Sequence, residues 1–226
     1  MTDFLAYMLA CMGTLLAYSL AWLVFQKSSH NPLLHPLITA VIMVIVTLIF
    51  FDIDYERYFH YAQPIHLMLG PIVVALAFAI AEHLHVLRGH ALALSIALVA
   101  GSLFAILTVW GVTVWVTDDP ALLATYITKS VTSPIAVPLT EELGGLQGLA
   151  AVVVLATGTV GAVFGPPILR RLGLDQPLEM GMAIGVAAHG IGAAEVLRHN
   201  GLAGAAAGLA MGLNGLFTAI LLPIFW

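Results

Sequence analysis

Seven apolar stretches follow one another with only short polar connections: Phe4–Phe25, Leu37–Phe51, Ile65–Ala81, Ala91–Trp115, Leu146–Phe164, Met180–Leu197 and Leu202–Trp226. A helix needs about 20 apolar residues to cross the ~30 Å hydrocarbon core of a bilayer. Lipid offers no hydrogen-bond partner, so a crossing segment must satisfy its own backbone, as a helix does. No stretch alternates apolar and polar residues as a membrane barrel strand would. The chain therefore reads as an all-α polytopic integral membrane protein with about seven or eight membrane segments.

Composition removes the competing classes. Of 226 residues 61% are hydrophobic and 8% charged, against roughly 25% charged in a soluble domain. Seven Lys+Arg face twelve Asp+Glu, a balance that excludes nucleic acid as a partner. The single cysteine, Cys11, rules out an internal disulfide or a cysteine zinc site and reads as a lipid-buried thiol. Met1-Thr2-Asp3 lacks the basic start of a signal peptide, so Phe4–Phe25 is expected to remain as a span.

Basic residues set the expected orientation. Lys27, Arg88 and Arg170-Arg171 follow the first, third and fifth stretches, while Asp52, Asp54, Glu56 and Asp118-Asp119 follow the second and fourth. With the basic loops inside, the N-terminus and both acidic clusters lie outside. That arrangement closes only if the partly apolar stretch Pro120–Glu142 enters and leaves by the same side, as a re-entrant or broken helix. The C-terminus then falls inside if Met180–Leu197 spans once, with Arg57 and Arg198 as exceptions to the rule.

Two segments carry prolines at membrane depth. Gly70-Pro71-Ile72-Val73-Val74-Ala75-Leu76-Ala77 echoes Ser133-Pro134-Ile135-Ala136-Val137-Pro138-Leu139-Thr140. Proline lacks an N–H and clashes with the preceding turn, so Gly70, Pro71 and Pro134 mark expected helix breaks. Paired broken segments are where a secondary transporter built from an inverted repeat places its site. Glycine is lopsided too: 17 of the 21 lie beyond residue 110. Gly181 and Gly185, and Gly204, Gly208 and Gly212, form stripes that let helices approach closely.

Ionisable groups inside a membrane are functional candidates by default. Lys129 opens Lys129-Ser130-Val131-Thr132-Ser133-Pro134, one cation and three hydroxyls at an expected break. A break exposes helix N–H groups, which favour anions, and these residues add donors; the other reading is a lysine snorkelling to the interface. His189 precedes Gly190, Ile191 and Gly192. It could bind the anion or carry a coupled proton, or simply be hydrogen-bonded in the core. Glu195 and Asn214 are weaker candidates. His83, His85 and His90 share a polar loop, and no metal is expected there. No nucleophile elbow, phosphate loop or metalloprotease motif occurs, so no enzymatic activity is expected.

Thr128-Lys129-Ser130-Val131-Thr132-Ser133-Pro134-Ile135-Ala136 with Gly144-Gly145 resembles the signature of the LrgB/CidB family. Gly161-Ala162-Val163-Phe164-Gly165-Pro166, Gly185 through Ala193, and Leu69-Gly70-Pro71 with Val74-Ala75-Leu76-Ala77 extend it. The likeness runs from about Tyr55 to the C-terminus, dividing the single domain into N-terminal scaffold spans (1–51) and a family core (52–226). Ser133 stands where the family commonly has threonine, Ala188 and Ala193 where it has Ser and Thr, and Glu195 where it has a basic residue. The resemblance implies a bacterial inner-membrane protein with an LrgA/CidA-type membrane partner. It also implies either holin- or antiholin-like regulation of murein hydrolase activity and lysis, or transport of small carboxylates, as in the plastid glycolate/glycerate translocator.

The combined expectation is a secondary transporter of small monocarboxylates such as pyruvate, acetate, glycolate or lactate. Lys129, Ser130, Thr132, Ser133, His189, Gly190, Gly192 and Asn214 would bind substrate, and His189 or Glu195 would couple protons. No cofactor is expected beyond a coupling H+ or Na+, and a homodimer is favoured over other assemblies. The rival is an oligomeric pore or lysis regulator.

Overall fold

A computed structural model describes residues 2–28 and 34–226, leaving out the side chains of residues 2, 66, 69, 70, 72, 73, 75 and 76. Among the described residues every regular element is a helix, as expected. In chain order these are α1 (Thr2–Lys27), α2 (Pro36–Phe50), α3 (Tyr55–Leu67), α4 (Leu69–Glu82), α5 (Leu84–Gly89), α6 (Ala91–Val116), α7 (Pro120–Ile127), α8 (Ser133–Glu142), α9 (Gln147–Arg171), α10 (Pro177–His199) and α11 (Gly201–Phe225). Five of them, α1, α6, α9, α10 and α11, are long and apolar enough to cross a membrane. The outward faces of α1, α6, α9 and α11 carry Leu, Ile, Val, Phe and Trp, as lipid-facing surfaces do.

The chain divides into two compact units, Met1–Val74 and Ala75–Trp226. In the first, α1 and α3 are joined by polar groups at heights that make them antiparallel. Thr14 Oγ1 meets the Tyr58 hydroxyl at 2.7 Å, Cys11 Sγ lies 3.6 Å from the Tyr61 carbonyl, and the Tyr61 hydroxyl donates to Asp3. Cys11 is half-buried. The break foreseen near Gly70 and Pro71 falls at Met68, so both residues sit in the first turn of α4. Proline is tolerated there because the first-turn N–H groups have no helical acceptor.

The second unit holds two helical hairpins. The first is α7 and α8. Thr128 Oγ1 meets Thr140 Oγ1 at 2.8 Å, and the Leu146 N–H, entering α9, donates to Thr125 Oγ1 at 2.8 Å. The pairing is antiparallel, because Thr128 faces Thr140 while the earlier Thr125 faces the later Gly145 and Leu146, so the chain enters α9 within about one and a half turns of where it entered α7. This is the same-side return that the charges required of Pro120–Glu142. Asp119 caps α7 by accepting from the Ala121 N–H at 2.8 Å. Pro134 stands in the first turn of α8, so the interruption occupies 128–132.

The second hairpin corrects the sequence reading. Met180–Leu197 does not span once. At His189 the backbone turns to φ 39°, ψ −134°, and α10 folds back on itself. A Cβ on Gly192 would lie 2.5 Å from Ala188 Cβ and 2.6 Å from Ile184, eight residues earlier; a straight helix would hold those residues about 12 Å apart. The first arm (177–188) runs parallel to α11, since Gly181 backs onto Ala203 and Ala206, and Gly185 onto Ala207 and Ala210. The second arm (190–199) runs antiparallel to it, with Gly190 near Met211 and Leu197 against Gly204. Both relations hold only if the arms oppose each other. At about 1.5 Å rise per residue, the four hairpin arms are about 12–18 Å long, too short for a ~30 Å core.

The two hairpins form an inverted pair. Each follows a long helix, α6 or α9, and each begins at a proline, Pro120 or Pro177, 57 positions apart. Since α6 and α9 run in opposite directions, one hairpin enters from the Asp118-Asp119 end and the other from the Arg170-Arg171 end. The repeat thus pairs α6–α8 with α9–α10, not the Gly70 and Ser133 octamers of the sequence echo. Arg88, Arg170, Arg171 and Arg198 all fall at one end. Arg198 ceases to be an exception, and the last turn of α11 moves to the acidic end, opposite the expected side.

Candidate functional site

The tips of the two hairpins meet. A Cβ on Gly190 would lie 3.8 Å from Thr132 Cγ2, which sets the start of the second α10 arm against the start of α8. Helix N-termini carry unsatisfied N–H groups and partial positive charge, and two of them abut here. Thr132, the N-cap of α8, makes no capping bond with its side chain. Ser133 is exposed in the first turn of α8, at the same junction.

Asn214 holds the opposite, electronegative ends. Its Oδ1 accepts from Ser102 Oγ on α6 at 2.6 Å. Its Nδ2 donates to the Ser130 carbonyl at 2.8 Å and to the Val186 carbonyl at 3.4 Å. Both carbonyls lie beside interruptions, where the regular helical donor is lost, and an unsatisfied backbone group at membrane depth costs several kcal/mol. One amide that is 2% exposed thereby satisfies both breaks and ties them to α6 and α11.

His189 is 3% exposed, and its Nε2–H donates to the Val154 carbonyl on α9 at 3.1 Å. A carbonyl can only accept, so that bond places a proton on Nε2. The ring fits because α9 carries glycine beside it: a Cβ on Gly158 would lie 2.5 Å from His189 Cε1. A positive φ on a residue other than glycine costs about 1–3 kcal/mol and persists where packing over-determines it.

Lys129 lies at the tip of the first hairpin, half-buried, and donates to Ser130 Oγ at 3.1 Å. Among the described residues no carboxylate lies within ion-pair distance of it. Lys129 and Ser130 line a cavity of about 940 Å³ between α6 and the first arm of α10, which continues past them along Phe104, Ala105, Thr108 and Val109 of α6. The site is therefore cationic and donor-rich on one side, with its carbonyl ends already occupied by Asn214. That is a setting for an anion.

The remaining candidates separate from this cluster. Gly192 packs between the two α10 arms against Ile184 and Ala188. Glu195 lies towards the arginine end, bonded to Arg198 at 3.3 Å and His199 at 3.2 Å. Gly70 and Pro71 belong to the α3–α4 break at Met68. Among the described residues no group of three His, Cys, Asp or Glu side chains could hold a metal ion. Sequence reasoning missed Ser102, Val154 and Gly158. Ser102 had a signal, a hydroxyl beside Gly101, though it shares its run with Ser95, Thr108 and Thr113, whereas Val154 acts through its backbone and leaves none.

Comparison with known proteins follows the same lines. An uncharacterized protein, YxaC, of Bacillus subtilis is 29% identical over 93% of this chain and 91% of its own length. An uncharacterized protein of Haemophilus influenzae is 28% identical over 89% of this chain and 88% of its own. A Bacillus cereus protein named antiholin-like protein LrgB is 26% identical over 94% and 92%. No solved structure matches the chain. The LrgB-like family model matches residues 14–226, reaching back well before the Tyr55 at which the sequence resemblance began. With re-entrant hairpins, apolar spans and that match over nearly its whole length, this multi-pass membrane protein belongs to the LrgB-like family.

Proposed function

We propose that the chain is a secondary transporter of small monocarboxylates in the bacterial inner membrane. The observation that carries the reading is the meeting of two oppositely inserted hairpins at an acid-free lysine, where the N-termini of α8 and the second α10 arm abut. Inverted repeats with half-helices meeting near mid-membrane are how secondary transporters build substrate sites. The donors suit a carboxylate: Lys129 and Ser130 line the cavity, and Thr132, Ser133 and the first N–H groups of α8 follow them in the chain at the hairpin tip. Gly190 stands at the contact between the hairpins, and the bond from His189 to Val154 positions the second turn. Coupling to H+ or Na+, a homodimeric assembly and an LrgA/CidA-type partner belong to the same proposal.

The test is uptake of labelled pyruvate and glycolate into proteoliposomes, with and without a pH gradient. Saturable uptake that falls at least tenfold in Lys129→Ala supports a carrier. Full flux in Lys129→Ala would remove the central role given to that residue.

The name of the Bacillus cereus relative favours a second reading, an antiholin-like regulator or pore. A pore predicts unsaturable leakage of sucrose from the same vesicles, and a carrier predicts none.

A further inference from the structure

The cavity that Lys129 lines is far larger than a two- or three-carbon acid requires. Asn214 links Ser130 to Ser102, so Lys129 sits near the level of Gly101-Ser102 on α6. From there the groove runs to the arginine end, where His90, Gln176 and Glu179 form its mouth. His90 and Gly101 are eleven positions apart on one helix, about 16 Å at the α-helical rise.

Between mouth and lysine the walls are hydrocarbon. Ala97 and Gly101 of α6 face Met182, Ala183, Val186 and Ala187 of α10. A Cβ on Gly101 would lie 3.5 Å from Val186 Cγ1. Polar groups stand at the two ends of this stretch. A bound pyruvate or glycolate would leave most of the groove empty or wet, and would bring no apolar surface to its walls. At about 940 Å³ the space matches sites of ~300–1,000 Å³ that enclose considerably larger ligands.

We infer that this groove seats the body of an amphipathic substrate, and that the preferred monocarboxylates are those with a short- to medium-chain apolar tail. This rests on the carboxylate reading of the Lys129 site. The carboxylate would meet Lys129 and Ser130, and the tail would lie towards the mouth along Ala97, Gly101 and Ala183. Hydroxylated acids would be disfavoured, because the walls offer their hydroxyls no partner.

The experiment is competition by unlabelled acetate, butanoate, hexanoate and octanoate against labelled pyruvate uptake in proteoliposomes. Direct binding of labelled hexanoate to the purified full chain runs beside it. Wild type is compared with Lys129→Gln and with Ala97→Leu and Ala187→Leu, two exposed wall positions where a larger side chain fills the groove without entering the core. The expected result is a gain of about two- to fourfold in apparent affinity per methylene. That gain should be absent in Lys129→Gln, and the octanoate-to-acetate ratio should shrink to within about threefold in both leucine variants.

Saturable pyruvate uptake with no dependence on chain length would overturn the inference and leave the transporter reading standing. A chain-length trend unchanged in Ala97→Leu and Ala187→Leu would reflect partition into lipid and would also overturn it. Absence of both saturable uptake and Lys129-dependent binding of every acid would overturn the inference together with the reading beneath it.

Discussion

The side-chain amide of Asn214 holds the backbone carbonyl of Ser130 at 2.8 Å across 84 positions of sequence. The same nitrogen reaches the Val186 carbonyl, so one side chain in α11 spans both helix interruptions. Each carbonyl lies in a stretch where the helical ladder fails.

Removing that amide should therefore cost more than an ordinary buried polar group. Asn214→Leu strands two carbonyls and the Ser102 hydroxyl, and should lower stability by about 3–5 kcal/mol at about 1–3 kcal/mol per stranded group. Asn214→Asp keeps the shape but loses the donor, and should be nearly as damaging. Ser102→Ala removes one bond and should cost about 1 kcal/mol. Thermal unfolding in detergent checks the order; equal melting temperatures for Asn214→Leu and wild type would refute it.

His189 and Gly158 should behave as a coupled pair. Gly158→Ala puts a methyl group where the imidazole lies, and should destabilise by about 1–3 kcal/mol as overpacking does. His189→Ala vacates that space, so the double variant should recover part of the loss. A coupling energy of about 1 kcal/mol or more is expected for residues in direct contact. Strict additivity in a melting-based cycle would mean that the ring lies elsewhere.

The backbone at His189 makes a separate prediction. With φ at 39°, glycine is the residue best able to replace it and a β-branched residue the worst. His189→Gly should stay folded, while His189→Val should unfold at a lower temperature by several degrees. Both lose the bond to Val154, so their difference isolates the backbone. Identical melting temperatures would count against the turn.

Side-specific labelling tests the second hairpin directly. In a Cys11→Ser background, single cysteines at Arg171 and Arg198 should react with an impermeant maleimide from one side of the membrane, and cysteines at Asp118 and Trp226 from the other. Opposite accessibility of Arg171 and Arg198 would show that α10 crosses.

The first hairpin was legible in the sequence and the second was not, for a physical reason. Pro120–Glu142 carries Lys129, six Ser and Thr hydroxyls and Pro134, so composition betrayed a segment unfit to cross intact, and charge bookkeeping required it to return. Residues 180–197 are small or apolar except for His189 and Glu195, with no proline at the turn. Their reversal is carried by one histidine held in place by Val154 and Gly158, contacts between residues more than 30 positions apart. The trace it left was Arg198 on the wrong side, first read as an exception. At the site, Lys129, Ser130 and His189 were visible as polar groups in an apolar chain. Asn214 was visible too, but its role depends on carbonyls that every residue possesses.

The 57-residue correspondence between the halves has one more consequence. It matches α6 to α9 and the first arm of α10 to α7, so the groove between α6 and α10 has a twin between α9 and α7. That twin is shut: Leu146, at the start of α9, donates to Thr125 of α7, and Gly145 closes on the same threonine. The molecule is thus symmetric in connectivity and lopsided in packing. Exchanging the two packings would produce its mirror state, closed at the arginines and open at the aspartates. The Thr125–Leu146 bond would be the latch that such an exchange has to break first.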